Sequence, residues 1–178
     1  MMLRRGLAVA AVVAVADQLS KAWVLGRFPD TQLSACSVAP EHVPVTGFFN
    51  LVLTCNRGMS FGLFNNDATL NAAIFTVIAA VIVGGLLVWL RRAQEPLIGV
   101  AIGLVIGGAV GNVVDRLWRG AVVDFLDFHW TGLPACRWPI LSSNGCHWYA
   151  FNLADAAICI GVGLMVIDSL LGRREAPN

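Results

Sequence analysis

Four stretches of the chain are nearly unbroken apolar runs, at about residues 7–25, 68–90, 96–114 and 154–171. Each is close to the ~20 residues a helix needs to cross a bilayer, so the pattern predicts four membrane-spanning helices. Two segments of different grain lie between them, 26–67 and 115–153. In the first, Phe49, Leu51 and Leu53 alternate with Asn50, Val52 and Thr54, which predicts a half-buried strand. Asn56-Arg57-Gly58 then supplies turn chemistry. In the second, Val122, Val123, Phe125, Leu126, Phe128 and Trp130 surround Asp124 and Asp127, too short to span and too apolar for an ordinary loop. That composition predicts an interfacial segment. The expected fold class is an all-α membrane protein with four transmembrane helices, a small extracytoplasmic β element and an interfacial segment, built as one integral membrane domain over residues 1–178.

Composition agrees with this picture and charge orients it. The 178 residues are 57% hydrophobic and 13% charged, with a mean hydropathy of +0.73, which excludes an ordinary soluble domain. A net charge of +1 gives no basic field for nucleic acid, and none is expected as a partner. Three doublets, Arg4-Arg5, Arg91-Arg92 and Arg173-Arg174, each end an apolar run. Cytoplasmic loops are enriched in Lys and Arg, so the doublets predict both termini and the 91–95 loop inside, with 26–67 and 115–153 outside. Arg4-Arg5 ahead of an apolar run, with Ala14-Val15-Ala16, also fits a signal peptide. The run continues through Ala22, Trp23 and Leu25, however, which favours an uncleaved first helix.

Polar residues inside these runs need a reason, because a charge at membrane depth costs roughly 2.5–3.5 kcal/mol on insertion scales. Asp17 and Lys21, four apart in the first run, are expected to form a structural ion pair. In the third run Gly99, Gly103, Gly107, Gly111 and Asp115 recur every four residues. Small residues at that spacing let a neighbouring backbone approach closely and aim Gly111 and Asp115 into the bundle. Asn112 and Arg116 form a second four-residue pair beside the stripe.

Asp124 and Asp155 both fall outside at a membrane boundary, embedded in apolar residues. Two carboxyls held together cannot both ionise easily, so one pKa rises and the pair shares a proton. An ionised member can then take a proton from water while the neutral one donates to a carbonyl, without cofactor, metal or covalent intermediate. Asp155 near a helix N-terminus is also stabilising by itself. Asp127 is a weaker candidate, read as solvated or headgroup-facing, and Asp168 lies about 20 Å further along the fourth helix at ~1.5 Å per residue. A proton relay in a small transporter is the competing reading, against which the carboxylates cluster at the outer rim.

Five ordered motifs carry a family resemblance: Asp17 with Lys21, Asn56-Arg57-Gly58 with Phe61, Gly111-Asn112 with Asp115-Arg116, Val122-Val123-Asp124-Phe125, and Phe151-Asn152 with Ala154-Asp155. Together they resemble the lipoprotein signal peptidases, the bacterial type II signal peptidases. The resemblance implies an intramembrane aspartic endopeptidase of the bacterial inner membrane that removes the signal peptide of a diacylglyceryl-modified prolipoprotein, cleaving before the lipidated cysteine. It implies Asp124 and Asp155 as the catalytic pair and Asn56, Asn112, Asp115, Arg116 and Asn152 as substrate-binding residues. It also implies membrane lipid as the surroundings and sensitivity to globomycin-type inhibitors, and a monomer is expected. Two departures stand out: residues 131–147 resemble an insertion, and Met59-Ser60 replaces a small alanine-type pair.

Cys36, Cys55, Cys136 and Cys146 fall outside by this topology, and Cys136 to Cys146 is the natural pairing if one forms. No Cys-x-x-Cys or His-Glu-x-x-His is present, and His42, His129 and His147 have no ligand spacing in sequence. Each reads as an ordinary interfacial histidine, and no metal is expected.

Overall fold

The computed structural model describes residues 2–28, 42–57, 68–130 and 146–172. Its elements are helix α1 (Met2–Leu25), strands β1 (Val43–Thr46) and β2 (Phe49–Asn56), helices α2 (Ala68–Arg92) and α3 (Pro96–Arg119), strands β3 (Val122–Trp130) and β4 (Cys146–His147), and helix α4 (Leu153–Gly172). All four helices are long and apolar enough to cross a membrane. Their ends follow local chemistry. Pro96 opens α3, where its missing N–H is no loss, and Gly120 closes it with φ 74°, a left-handed conformation that favours glycine. Arg91 and Arg92 end α2, where positive charge suits the helix dipole.

Helix α3 is the axis of the bundle, with α1 packed on one side and α4 on the other. The glycine stripe makes the approach of α1 possible, and Gly108 beside it that of α4. A Cβ at Gly103 would lie 2.5 Å from the Gly6 carbonyl oxygen, and one at Gly107 2.6 Å from that of Ala10. On the adjacent face, a Cβ at Gly108 would run into the Ala154 carbonyl oxygen of α4. Dispersion and close backbone packing, rather than water exclusion, hold helices together in lipid. Leu90 at the end of α2 packs with Ile98, Ile102 and Ile106 of α3, while Val77, Val81, Ile82 and Leu170 are exposed on faces suited to lipid.

At one end of the bundle the four strands form a sheet in the order β1-β2-β3-β4, every pair antiparallel. The segment expected at the interface is strand β3, an inner strand of this sheet. Its first four residues, Val122 to Phe125, are all buried. A strand covered on both faces reads as a continuous apolar run, so the two-residue alternation that marks a half-exposed strand is missing. The expected alternation of β2 also differs, because Asn50 is buried through a hydrogen bond to Asp127 and the β2–β3 register shifts between Leu51 and Thr54. Val24 and Phe28 meet Leu53, Val123 and Phe125 beneath the sheet, tying it to the end of α1.

The observed helices are longer than the apolar runs alone indicate. Helix α3 continues past residue 114 to Arg119 because Asp115 and Arg119 find partners inside the bundle. Trp118, Trp130, Trp148 and Tyr149 are exposed around the sheet end, as aromatic side chains at a membrane–water boundary are. The Cys136–Cys146 pairing, the 131–145 part of the insertion and Met59-Ser60 lie outside the described residues.

Candidate active site

The start of α4 builds one half of the site. The Asp155 N–H donates to Asn152 Oδ1 at 2.9 Å, and the Asn152 N–H donates to Asp155 Oδ2 at 3.3 Å. This reciprocal cap has the logic of a capping box, with Asn at the cap and Asp three residues on. It locks the Asp155 carboxylate against its own helix N-terminus. The Ala154 N–H donates to Asp17 Oδ1 at 3.0 Å, so a carboxylate of α1 caps the same turn.

Strand β3 supplies the other half. Asp124 is 2% exposed and its Oδ1 accepts from Asn152 Nδ2 at 2.7 Å. Asn56, at the end of β2, also hydrogen-bonds to it. Asn152 Nδ2 further contacts Val123 O at 3.3 Å and Asn112 Oδ1 at 3.2 Å, and Asn112 Nδ2 donates to Asp155 Oδ1 at 2.8 Å. Two amides thus link the two carboxylates: Asn152 touches both, and Asn112 touches Asp155 and Asn152.

Beneath them lies a charge network buried to 0% exposure at Asp17, Lys21 and Asp115. Lys21 Nζ lies 2.7 Å from Asp17 Oδ2, 2.8 Å from Asp115 Oδ2 and 3.2 Å from Asn112 Oδ1. Arg119 pairs with Asp115 and donates to Gln18 Oε1 at 3.0 Å. Gln18 Nε2 donates to Asp115 Oδ1 at 3.1 Å, and the Val123 N–H donates to Asp115 Oδ2 at 3.1 Å. The sequence pointed to an isolated Asp17–Lys21 pair; the structure makes it part of a four-charge cluster with Asp115 and Arg119. Every charge there has an opposite neighbour and further hydrogen bonds, the condition under which ions tolerate burial.

Burial pushes the Asp124 carboxyl up from its ordinary value of 3.8 to about 7, and the negative charge of Asp155 adds to the rise. The bonds from Asn56 and Asn152 and the charge of Lys21 pull the other way without cancelling it. A carboxyl that is half protonated at neutral pH beside another carboxylate can donate and accept protons in one reaction.

The structure joins Asp124, Asp155, Asn56, Asn112 and Asn152 in one hydrogen-bonded chain, in which the two carboxylates are linked through the amides. Arg116 stands beside them, its guanidinium hydrogen-bonding to Asn112 O at 3.4 Å, stacked 5.2 Å from the Phe75 ring and in electrostatic reach of Asp115, Asp124 and Asp155. Asp115 is different, since both of its oxygens are taken by protein partners and it presents nothing outward. Asp127, expected at a headgroup, is 5% exposed and bonds to Asn50 at 2.9 Å and to His147 at 2.9 Å. Gln18 and Arg119 are the participants the sequence did not indicate. Arg119 lies four residues beyond Asp115, a spacing that could have found it.

The model of the family "Signal peptidase (SPase) II" matches residues 9–171. A lipoprotein signal peptidase from Nitrobacter hamburgensis is 41% identical over 169 residues, 95% of this chain and 93% of that protein. One from an Azoarcus species is 44% identical over 173 residues, covering 97% and 86%. The chain belongs to the signal peptidase II family. Among solved structures, this peptidase resembles a bacterial membrane enzyme determined by the in meso method at 2.3 Å, with TM-score 0.68 and 25% identity over 98% of this chain and 92% of the other. A second, at 1.9 Å, gives TM-score 0.67 and 27% identity over 93% and 92%. The four-helix, small-sheet architecture of the peptidase agrees with these neighbours.

Proposed function

We propose that the protein is an intramembrane aspartic endopeptidase in which Asp124 and Asp155 share the work on one water molecule. As a multi-pass membrane member of the signal peptidase II family, it removes signal peptides from prolipoproteins. The observation that supports this reading is that Asn152 hydrogen-bonds to both carboxylates, Asp124 through its side chain and Asp155 through its backbone.

Asp155, ionised, takes a proton from the water as its oxygen attacks the scissile carbonyl. Asp124, protonated, gives its proton to the carbonyl oxygen, so the tetrahedral intermediate is a neutral diol. As the carbon–nitrogen bond breaks, Asp155 returns its proton to the leaving amine and Asp124 recovers one from the collapsing diol. Atoms and charge balance without an acyl-enzyme. Asn112 and Asn152 keep the carboxylates oriented, while Asn56 and Arg116 stand where a peptide would meet the pair. Asp115 acts as a positioning residue, through Lys21 and the Val123 N–H.

The cut falls before the diacylglyceryl-modified cysteine, the dyad faces the outer side of the bacterial inner membrane, and both termini are cytoplasmic. The three arginine doublets support that orientation. Globomycin-type peptides compete with the substrate for the dyad, and one chain, a single membrane domain, suffices.

Purified enzyme in detergent with a lipidated precursor tests the dyad. Asp124→Asn and Asp155→Asn should each reduce cleavage by about 10²–10⁴-fold, with the elution profile of the folded protein unchanged. Cleavage within a few-fold of wild type in either variant would remove that aspartate from the mechanism.

A further inference from the structure

Beyond the dyad, the sheet gathers a second set of ionisable groups. Asp127 and His129 lie two apart on β3 and so project from the same face, and β4 places His147 directly opposite His129. One donor atom from each of the three lies within 4.8 Å of the others. His147 Nδ1 is 3.0 and 2.9 Å from the two Asp127 oxygens, and the imidazoles of His129 and His147 stack with centroids 5.3 Å apart.

We propose that Asp127, His129 and His147 form a site for a divalent transition-metal ion of the zinc class, which clamps β4 onto β3. Two imidazoles and a carboxylate suit zinc, cobalt or nickel rather than calcium or magnesium, which prefer all-oxygen sets. Donors ~2.0–2.2 Å from zinc stand ~3.3–3.6 Å apart in a tetrahedron, so small side-chain rotations close the site on its ion. Three protein donors leave one position for water. Asn50 supports the carboxylate from outside the site, as such sites need: it is 5% exposed and its Nδ2 donates to Asp127 Oδ2 at 2.9 Å. An Asp127–His147 hydrogen bond alone accounts for two of the three groups; a shared ion also brings in His129, which otherwise stacks on His147 and meets Asn50 Nδ2 at 3.1 Å.

The clamp has a structural consequence near the dyad. Strand β4 has only two residues. The chain beyond it is held to β3 by Trp148 N–H to Phe128 O at 2.7 Å and by Phe151 O, which accepts from the Phe125 and Leu126 N–H groups at 3.0 and 2.9 Å. His147 is eight residues ahead of Asp155. A metal there would fix the strand that delivers Asn152 and Asp155 to Asp124.

Metal-free protein, purified through a histidine-free tag, is titrated with Co²⁺ and Zn²⁺. The expected result is one ion per chain, a visible cobalt spectrum without a thiolate charge-transfer band, and a zinc-dependent rise in the thermal midpoint. His129→Asn and His147→Asn should each weaken binding by at least about 100-fold, while His42→Asn should not change it. The cobalt spectrum of the wild type reads the donor set even if a variant fails to fold. Wild-type binding weaker than about millimolar, a thiolate band, or equal binding by the His129 variant would each overturn the proposal and leave an Asp127–His147 hydrogen bond.

Discussion

Replacing Asp124 by Asn should abolish a pH dependence of stability that the wild type carries. The folded-state carboxyl titrates at about 7 against 3.8 unfolded. Between those values the unfolded chain has released its proton and the folded one has kept it. Stability therefore falls as pH rises through this window, the reverse of an ordinary salt-bridged aspartate. The full separation of 3.2 pKa units corresponds to about 4 kcal/mol at 1.36 kcal/mol per unit, and the part lost between pH 5 and pH 8 is about 2–3 kcal/mol. Asn is close in shape to protonated Asp and can still accept from Asn152, so Asp124→Asn keeps the packing and removes the titration. Unfolding in mixed detergent micelles at pH 5 and pH 8 should show wild type losing this amount relative to the variant, which becomes the more stable protein at pH 8. Asp155→Asn should lie between them, because removing the Asp155 charge lowers the Asp124 pKa. Parallel pH profiles for wild type and Asp124→Asn would refute both the burial argument and the assignment of Asp124 as the protonated partner.

Cleavage should decline as pH rises through about 7 as Asp124 loses its proton, and Asn152→Ala, which removes a bond favouring the charged form, should move that limb to higher pH in the kcat/KM profile. Lys21→Met leaves Asp17 and Asp115 buried without their shared cation and should cost about 3–5 kcal/mol, read as loss of monodisperse protein on gel filtration; a midpoint unchanged from wild type would contradict the charge network. Gly103→Ala forces α1 and α3 apart, since its Cβ meets the Gly6 carbonyl rather than a movable side chain, and about 1–3 kcal/mol of destabilisation is expected. Gly84→Ala, which meets nothing within 4 Å, is its neutral counterpart on α2.

The bundle was legible because long apolar runs and a four-residue glycine spacing have few alternative meanings. Asp155 was legible at a helix start for a similar local reason, an acidic residue at the beginning of an apolar run. Long-range pairings were not. Strand β3 lacks alternation because both faces are covered, so it resembled an interfacial segment. The meeting of Asp127 with Asn50 and His147 depends on strand register across separations of 77 and 20 residues, which no local spacing encodes. Gln18 likewise matters only because α1 packs against α3 where Gly111 leaves room beside Asp17. Asp115 was visible as a buried charge, but its four partners, and hence its role in supporting the site, came from tertiary structure.

The bond from Ala154 to Asp17 joins residues 137 positions apart, at opposite ends of the chain. A ribosome delivers Asp17 and Lys21 to the membrane first and α4 last. Until α4 inserts, the proposed dyad has only one of its two carboxylates and Asp17 lacks the amide it will cap. On the proposed mechanism a partly synthesised chain is therefore inert toward its neighbours in the membrane, and activity arrives together with the contact that completes the bundle.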